Sequence, residues 1–147
     1  MMKSLRHRIL LVLLGLCCVT GHAASSIVVV VPAHSEVEKL SREDVTNIFL
    51  GRLRQYPNGV AAYPIDQPAA VPEKAAFYRL LVNKEIAEIN AYWARLIFSG
   101  RTSPPQQARS SDDAVDLLMG NPKAITYLER SKVDRRLKIV LDLGTTP

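Results

Sequence analysis

Cysteine and histidine are scarce in this 147-residue chain, and what little there is sits mostly at one end. Met1 to Arg8 carries Lys3, Arg6 and Arg8 with no acid, an apolar run follows from Ile9 to Val19, and Thr20-Gly21-His22-Ala23-Ala24 closes it. A positive start, a short apolar core and a small-x-Ala ending form the pattern of a secretory signal peptide, expected over residues 1–23 with cleavage after Ala23. The apolar core has eleven residues, well short of the ~20 that a spanning helix needs, which disfavours a retained anchor. Bulky Leu16 before Cys17 argues against a lipoprotein signal. Cys17 and Cys18 leave with this segment, so the expected mature chain, 24–147, has no disulfide, thiol nucleophile or cysteine-based metal site.

The chain also lacks a dominant charge. Three of its 19 basic residues go with the leader, leaving 16 Lys and Arg against 14 Asp and Glu. No basic run or face remains to suggest a nucleic-acid partner. His34 is the only histidine left, too few for a zinc site. Its adjacency to Ser35 does not by itself make a catalytic triad. Asp112 and Asp113 read as the start of a helix rather than as paired catalytic acids, with Asp112 as its cap. Nothing in this set amounts to an enzyme, and no cofactor is implied.

What is present is an alternation of strands and helices. Ile27 to Val31 is an unbroken β-branched run ended by Pro32, the mark of a strand buried on both faces. Ser41 is a good N-cap, Glu43 and Asp44 fall in the first turn, Val45, Ile48 and Phe49 form an apolar stripe, and Gly51 is a natural stop. Val60 to Asp66 reads as a short strand, with Pro64 confining it to an edge or to its ends. Pro72 opens a helix carrying Phe77, Leu80 and Leu81, and Asn83 to Glu85 breaks it. A further helix places Ile86, Ile89, Trp93, Leu96 and Ile97 on one side, with Tyr92, Trp93 and Phe98 expected in the core near Phe77. The polar stretch 102–111, with Pro104-Pro105, reads as a surface loop. A short helix with Val115, Leu118 and Met119 inward precedes a strand over 124–128. In a final half-exposed strand, Leu137, Ile139, Leu141 and Leu143 alternate with Lys138, Val140 and Asp142. One α/β domain of β-α-β-α-α-α-β-β order follows.

The segment Leu40 to Gly59, LSREDVTNIFLGRLRQYPNG, resembles the second-lobe helix of the phosphate-type periplasmic substrate-binding proteins, whose recurring form is close to LSxEQLxxIFxGxxxxWxxG. Pro64-Ile65-Asp66, Phe77-Tyr78, Trp93 and Asn121 to Tyr127 (NPKAITY, against the family's NPGAIGY) extend the resemblance over roughly Ile27 to Leu141. It implies one compact lobe of a type II periplasmic-binding-protein fold, a small mixed sheet flanked by helices. It further implies a periplasmic module binding phosphate or another small anion for an ABC transporter. Because the resemblance covers the second lobe only, the first lobe is expected to be absent, leaving one wall of a cleft.

The family presents Arg followed by Ser-Gly-Thr before its Phe-containing helix, so that hydroxyls and amides face an oxyanion. The corresponding stretch here, Asp66 to Pro72 (DQPAAVP), has no hydroxyl, glycine or arginine, and Asp66 would repel an anion. Lys123 and Thr126 stand in place of the two glycines of the late segment. Gln67, Lys74 and Asp66 are the candidate ligand contacts. Arg52 and Arg54 read as a solvated cap at a helix end, and Arg79 as either a contact or a surface residue. The alternative function is a non-catalytic envelope interaction or accessory protein that has lost ligand binding. Its cleft face would then meet another protein or a second copy of itself.

Overall fold

In the computed structural model, which describes residues 25–146, the β-branched run forms the strand β1 (Ser26–Pro32) at the heart of the sheet. The elements that follow are α1 (Arg42–Phe49), β2 (Tyr63–Asp66), α2 (Pro72–Val82), α3 (Ile86–Phe98) and β3 (Gln106–Gln107). They continue with α4 (Ser111–Met119), β4 (Ala124–Glu129), a 3-10 turn (Arg130–Lys132) and β5 (Leu137–Thr145). The expected leader, residues 1–23 with Cys17 and Cys18, lies outside the described residues.

The sheet has the order β3-β2-β4-β1-β5 and is mixed: β1 runs antiparallel to β4 and β5, while β2 is parallel to β3 and β4. β1 is paired along both edges, by β4 and β5, and helices cover both its faces. Ile27, Val29 and Val31 pack under α1, α2 and α3, and Val28 and Val30 pack against α4. The unbroken apolar run is therefore the sequence of a strand between two helical layers. Pro64 is tolerated in β2 because β3 pairs only with Ile65 and Asp66, so the proline sits where that side of the strand has no ladder partner.

Local chemistry fixes the ends of the helices. The Ser41 hydroxyl accepts the Asp44 N–H at 3.0 Å, and the Asp44 carboxylate accepts the Ser41 N–H at 2.9 Å, a reciprocal capping box. Gly51, at φ +68°, ends α1 in the left-handed conformation that a side chain disfavours. Asn83 plays the same part after α2 at φ +53°.

Four expectations need correction. Ser110, not Asp112, caps α4, its hydroxyl accepting the Asp113 N–H at 3.1 Å. The loop 102–111 contains β3, which joins the sheet edge beside Asp66. β5 does not alternate, because two register shifts against β1 insert Val140 and Leu143 as extra residues. Leu137, Val140 and Leu143 are consequently the buried positions. Phe98 is 96% exposed and Ile97 56% exposed, rather than in the core. Phe98 follows Trp93 by five residues, which at 3.6 per turn carries it well off the inward face.

Candidate functional site

The register that pairs Tyr63 with Ala124 and Pro64 with Ile125, continued along both strands, sets Asp66 beside Tyr127. Thr126 secures the approach by donating its hydroxyl to the Ile65 carbonyl at 2.9 Å. From above, α2 presents Lys74 and Tyr78, four residues apart and so on one helix face. Both reach the same carboxylate oxygen: Lys74 Nζ lies 3.0 Å from Asp66 Oδ2, and Tyr78 donates to Oδ2 at 3.0 Å. The other oxygen, Oδ1, accepts the Tyr127 hydroxyl and, at 2.9 Å, the Gln67 N–H.

The structure thus brings the three candidate residues together, and all three are buried: Asp66 is 5% exposed, Gln67 0% and Lys74 6%. A carboxylate offers about four acceptor positions, and four donors meet this one. Gln67 is held by its own bonds, its side-chain amide donating to the Tyr127 carbonyl at 3.0 Å, while Gln107 of β3 donates to the Gln67 carbonyl at 2.8 Å. Gln67 Oε1 has no donor among the described residues.

Beneath the cluster lies an aromatic floor. Phe77 stacks on Tyr127 at 3.7 Å between ring centroids, with 5° between planes, and Phe49 meets Phe77 edge-on at 4.8 Å. Burial, followed by the Asp66 charge, pushes the Tyr78 and Tyr127 phenols well above the ordinary tyrosine range. Both therefore stay protonated as donors.

A second carboxylate occupies the start of α2. Val71 caps the helix without a side-chain bond and Pro72 brings no N–H. Burial pushes the Glu73 carboxyl up, but its bonds to Lys132 and to its own backbone N–H, with the Lys132 charge, outweigh this and hold it below the usual range. The helix end that would face an external anion is thus already supplied with a negative side chain.

The remaining candidates lie apart. Arg52, Arg54 and His34 are exposed, and Arg79 pairs with Glu85 at 2.8 Å on the surface. Ser35 accepts the Val37 N–H at 3.2 Å. Asp113 receives Arg109 at 2.6 Å. Tyr92 donates to the Leu50 carbonyl at 2.6 Å. Among the described residues no group of three or more His, Cys, Asp and Glu side chains is placed to hold a metal. The roles of Tyr78 and Tyr127 were not read from the sequence. The four-residue spacing from Lys74 could have revealed Tyr78, but Tyr127 needs the β2–β4 register.

The fold is that of one lobe of a type II periplasmic-binding-protein fold. Three solved structures share it. A protein of Clostridium perfringens described as a phosphate ABC transporter substrate-binding protein, with phosphate bound, aligns at a TM-score of 0.62 with 17% identity, over 80% of this chain and 45% of that one. An ABC-type phosphate transport receptor from Vibrio cholerae gives a TM-score of 0.62 with 16% identity, over 79% and 45%. PstS from Borrelia burgdorferi gives 0.59 with 12% identity, over 84% and 49%. This chain therefore spans about half the length of these proteins, and at such identities the likeness establishes the fold alone. No family model matches the sequence, and no curated protein does.

Proposed function

We propose that this chain is a non-catalytic, periplasmic module, released by cleavage of residues 1–23, that acts through its surface and does not take up a free oxyanion. The observation that carries this reading is the saturation of the Asp66 carboxylate by Lys74, Tyr78, Tyr127 and the Gln67 N–H. The loop that the family resemblance assigns to the anion holds a tethered carboxylate, and the nearby lysine on α2, Lys74, is already paired with it. An incoming phosphate would have to displace Asp66 from four donors and share a buried space with its charge, an arrangement of like charges that is strongly disfavoured.

A second reading is favoured by the likeness to proteins described as serving phosphate transport: a lobe that delivers phosphate or another small anion to an ABC transporter. It requires Asp66 to release Lys74. A thermal-shift titration of Ala24–Pro147 with phosphate, alongside sulfate and chloride at matched ionic strength, separates the two. A ligand at 100 times its Kd stabilises by about 2.7 kcal/mol, a shift of several degrees for a domain of this size. The expected outcome is no shift selective for phosphate. A saturable, phosphate-specific rise in Tm would reject the closed site and restore the transport reading.

A further inference from the structure

The carboxyl end of α3 is unlike the rest of the molecule. Phe98 stands 96% exposed, with Ile97 beside it at 56% and Leu53 at 45% on the adjoining loop. Ile97, Arg54 and Arg101 line one shallow depression, which Thr102, Ser103 and Pro104 connect to the groove holding Leu53 and Tyr63. On the other side of the helix end, Arg52 and Arg95 line a common hollow together with the paired Lys84 and Glu88.

All four arginines are exposed, and none is paired with a carboxylate among the described residues. The two chain segments that build this corner, 45–65 and 89–111, contain no Asp or Glu at all. The nearest acid earlier on α3, Glu88, is held by Lys84 at 2.7 Å. The result is an apolar point inside a belt of one sign, on a chain whose other charges are mostly interspersed and paired.

We propose that this tip is a docking surface for an anionic lipid bilayer, with Phe98 and Ile97 entering the boundary between headgroups and acyl chains and the arginines meeting lipid phosphates. Charge complementarity names the partner: four guanidiniums without a carboxylate partner suit an extended negative surface, and clustered lysines or arginines beside an apolar wedge are the usual means of holding one. Shape favours a bilayer over a protein. Phe98 projects from a helix end with Ser99 and Gly100 beyond it, so it offers no groove for a partner segment. A bilayer accepts a projecting ring without a matching cavity. Among the described residues no helix is long and apolar enough to cross a membrane.

This inference rests on the proposed role as a surface-acting module, but not on the Asp66 cluster, so the phosphate titration and a membrane assay fail separately. The core closes within 25–146, and the chain from Ala24 onward is therefore the one to test. Co-sedimentation with vesicles of phosphatidylglycerol and phosphatidylcholine should recover the protein, whereas vesicles of phosphatidylcholine alone should not. Binding should weaken as salt rises, and inorganic phosphate should compete no better than chloride at equal ionic strength. Arg101→Gln and Arg54→Gln should each weaken binding about fivefold. Phe98→Ser, at a position that packs on nothing, should leave the fold intact and lower vesicle affinity at least as much. No binding to the anionic vesicles, or equal binding by Phe98→Ser, overturns the proposal. So does a result in which Phe98→Ser abolishes self-association in a chain that ignores vesicles, which would make the tip a contact between copies.

Discussion

Asp66 is the residue on which the candidate site turns, and its environment makes a large effect of substitution unavoidable. Asp66→Asn keeps the shape but leaves the Lys74 ammonium buried without its counter-charge. Removing one partner of a buried pair costs about 3–5 kcal/mol. Urea unfolding should therefore place Asp66→Asn several kcal/mol below the parent, while the double variant Asp66→Asn/Lys74→Met recovers much of the loss. Equal destabilisation by single and double variants would mean that the pair is not coupled. The phenols around the carboxylate give a second expectation, at alkaline pH. Burial and the Asp66 charge raise Tyr78 and Tyr127, and burial alone raises Tyr56. Unfolded tyrosines ionise near pH 10, so above that pH the unfolded chain releases protons that the folded chain retains. Stability is thus full below about pH 10 and falls above it, by about 1.4 kcal/mol per pH unit for each such tyrosine, until the folded groups ionise. Chemical unfolding at pH 9, 10 and 11 measures the slope, and a flat profile would contradict the buried cluster.

At the scale of single elements, the clearest contrast lies between two glycines with positive φ. A Cβ on Gly51 would stand 2.8 Å from the Trp93 ring and 3.0 Å from the Thr102 hydroxyl, whereas a Cβ on Gly59 would meet nothing within 4 Å. Both would pay the left-handed strain of about 1–2 kcal/mol, but only Gly51 adds overpacking, about 1–3 kcal/mol more. Gly51→Ala should therefore unfold at clearly lower denaturant than Gly59→Ala, and equal midpoints would refute the close approach of Trp93. Elements of this kind were legible in the sequence because their causes are local. The Ser41 cap, the Gly51 stop and the Pro72 opening each depend on residues within one or two turns. The bulges of β5 are not legible in its own sequence because they arise from register against β1, a strand more than a hundred residues earlier. For Phe98, composition favours burying the aromatic ring, while helical phase and the end of α3 turn it outward. β3 escaped notice since two glutamines carry no strand signal of their own.

For the molecule as a whole, the fold class was readable from a motif and from one buried strand, but the state of the site was not. Asp66, Gln67 and Lys74 could be singled out by their place before the Phe77 helix. Their closure on one another depends on the parallel alignment of β2 with β4, which brings Tyr127 across the sheet to the same carboxylate. That long-range geometry converts a loop expected to face a ligand into an interior ion pair. The same sheet order has a consequence in time. β1, the first strand, is flanked on both sides by strands about a hundred residues downstream, with Ile27 opposite Glu129 and Ser26 opposite Thr145. Such high contact order slows folding, because long loops must close before their contacts are gained. β1 can find no lasting neighbour until nearly all of the chain is available, so the sheet is completed only when the last segment, β5, docks beside the first.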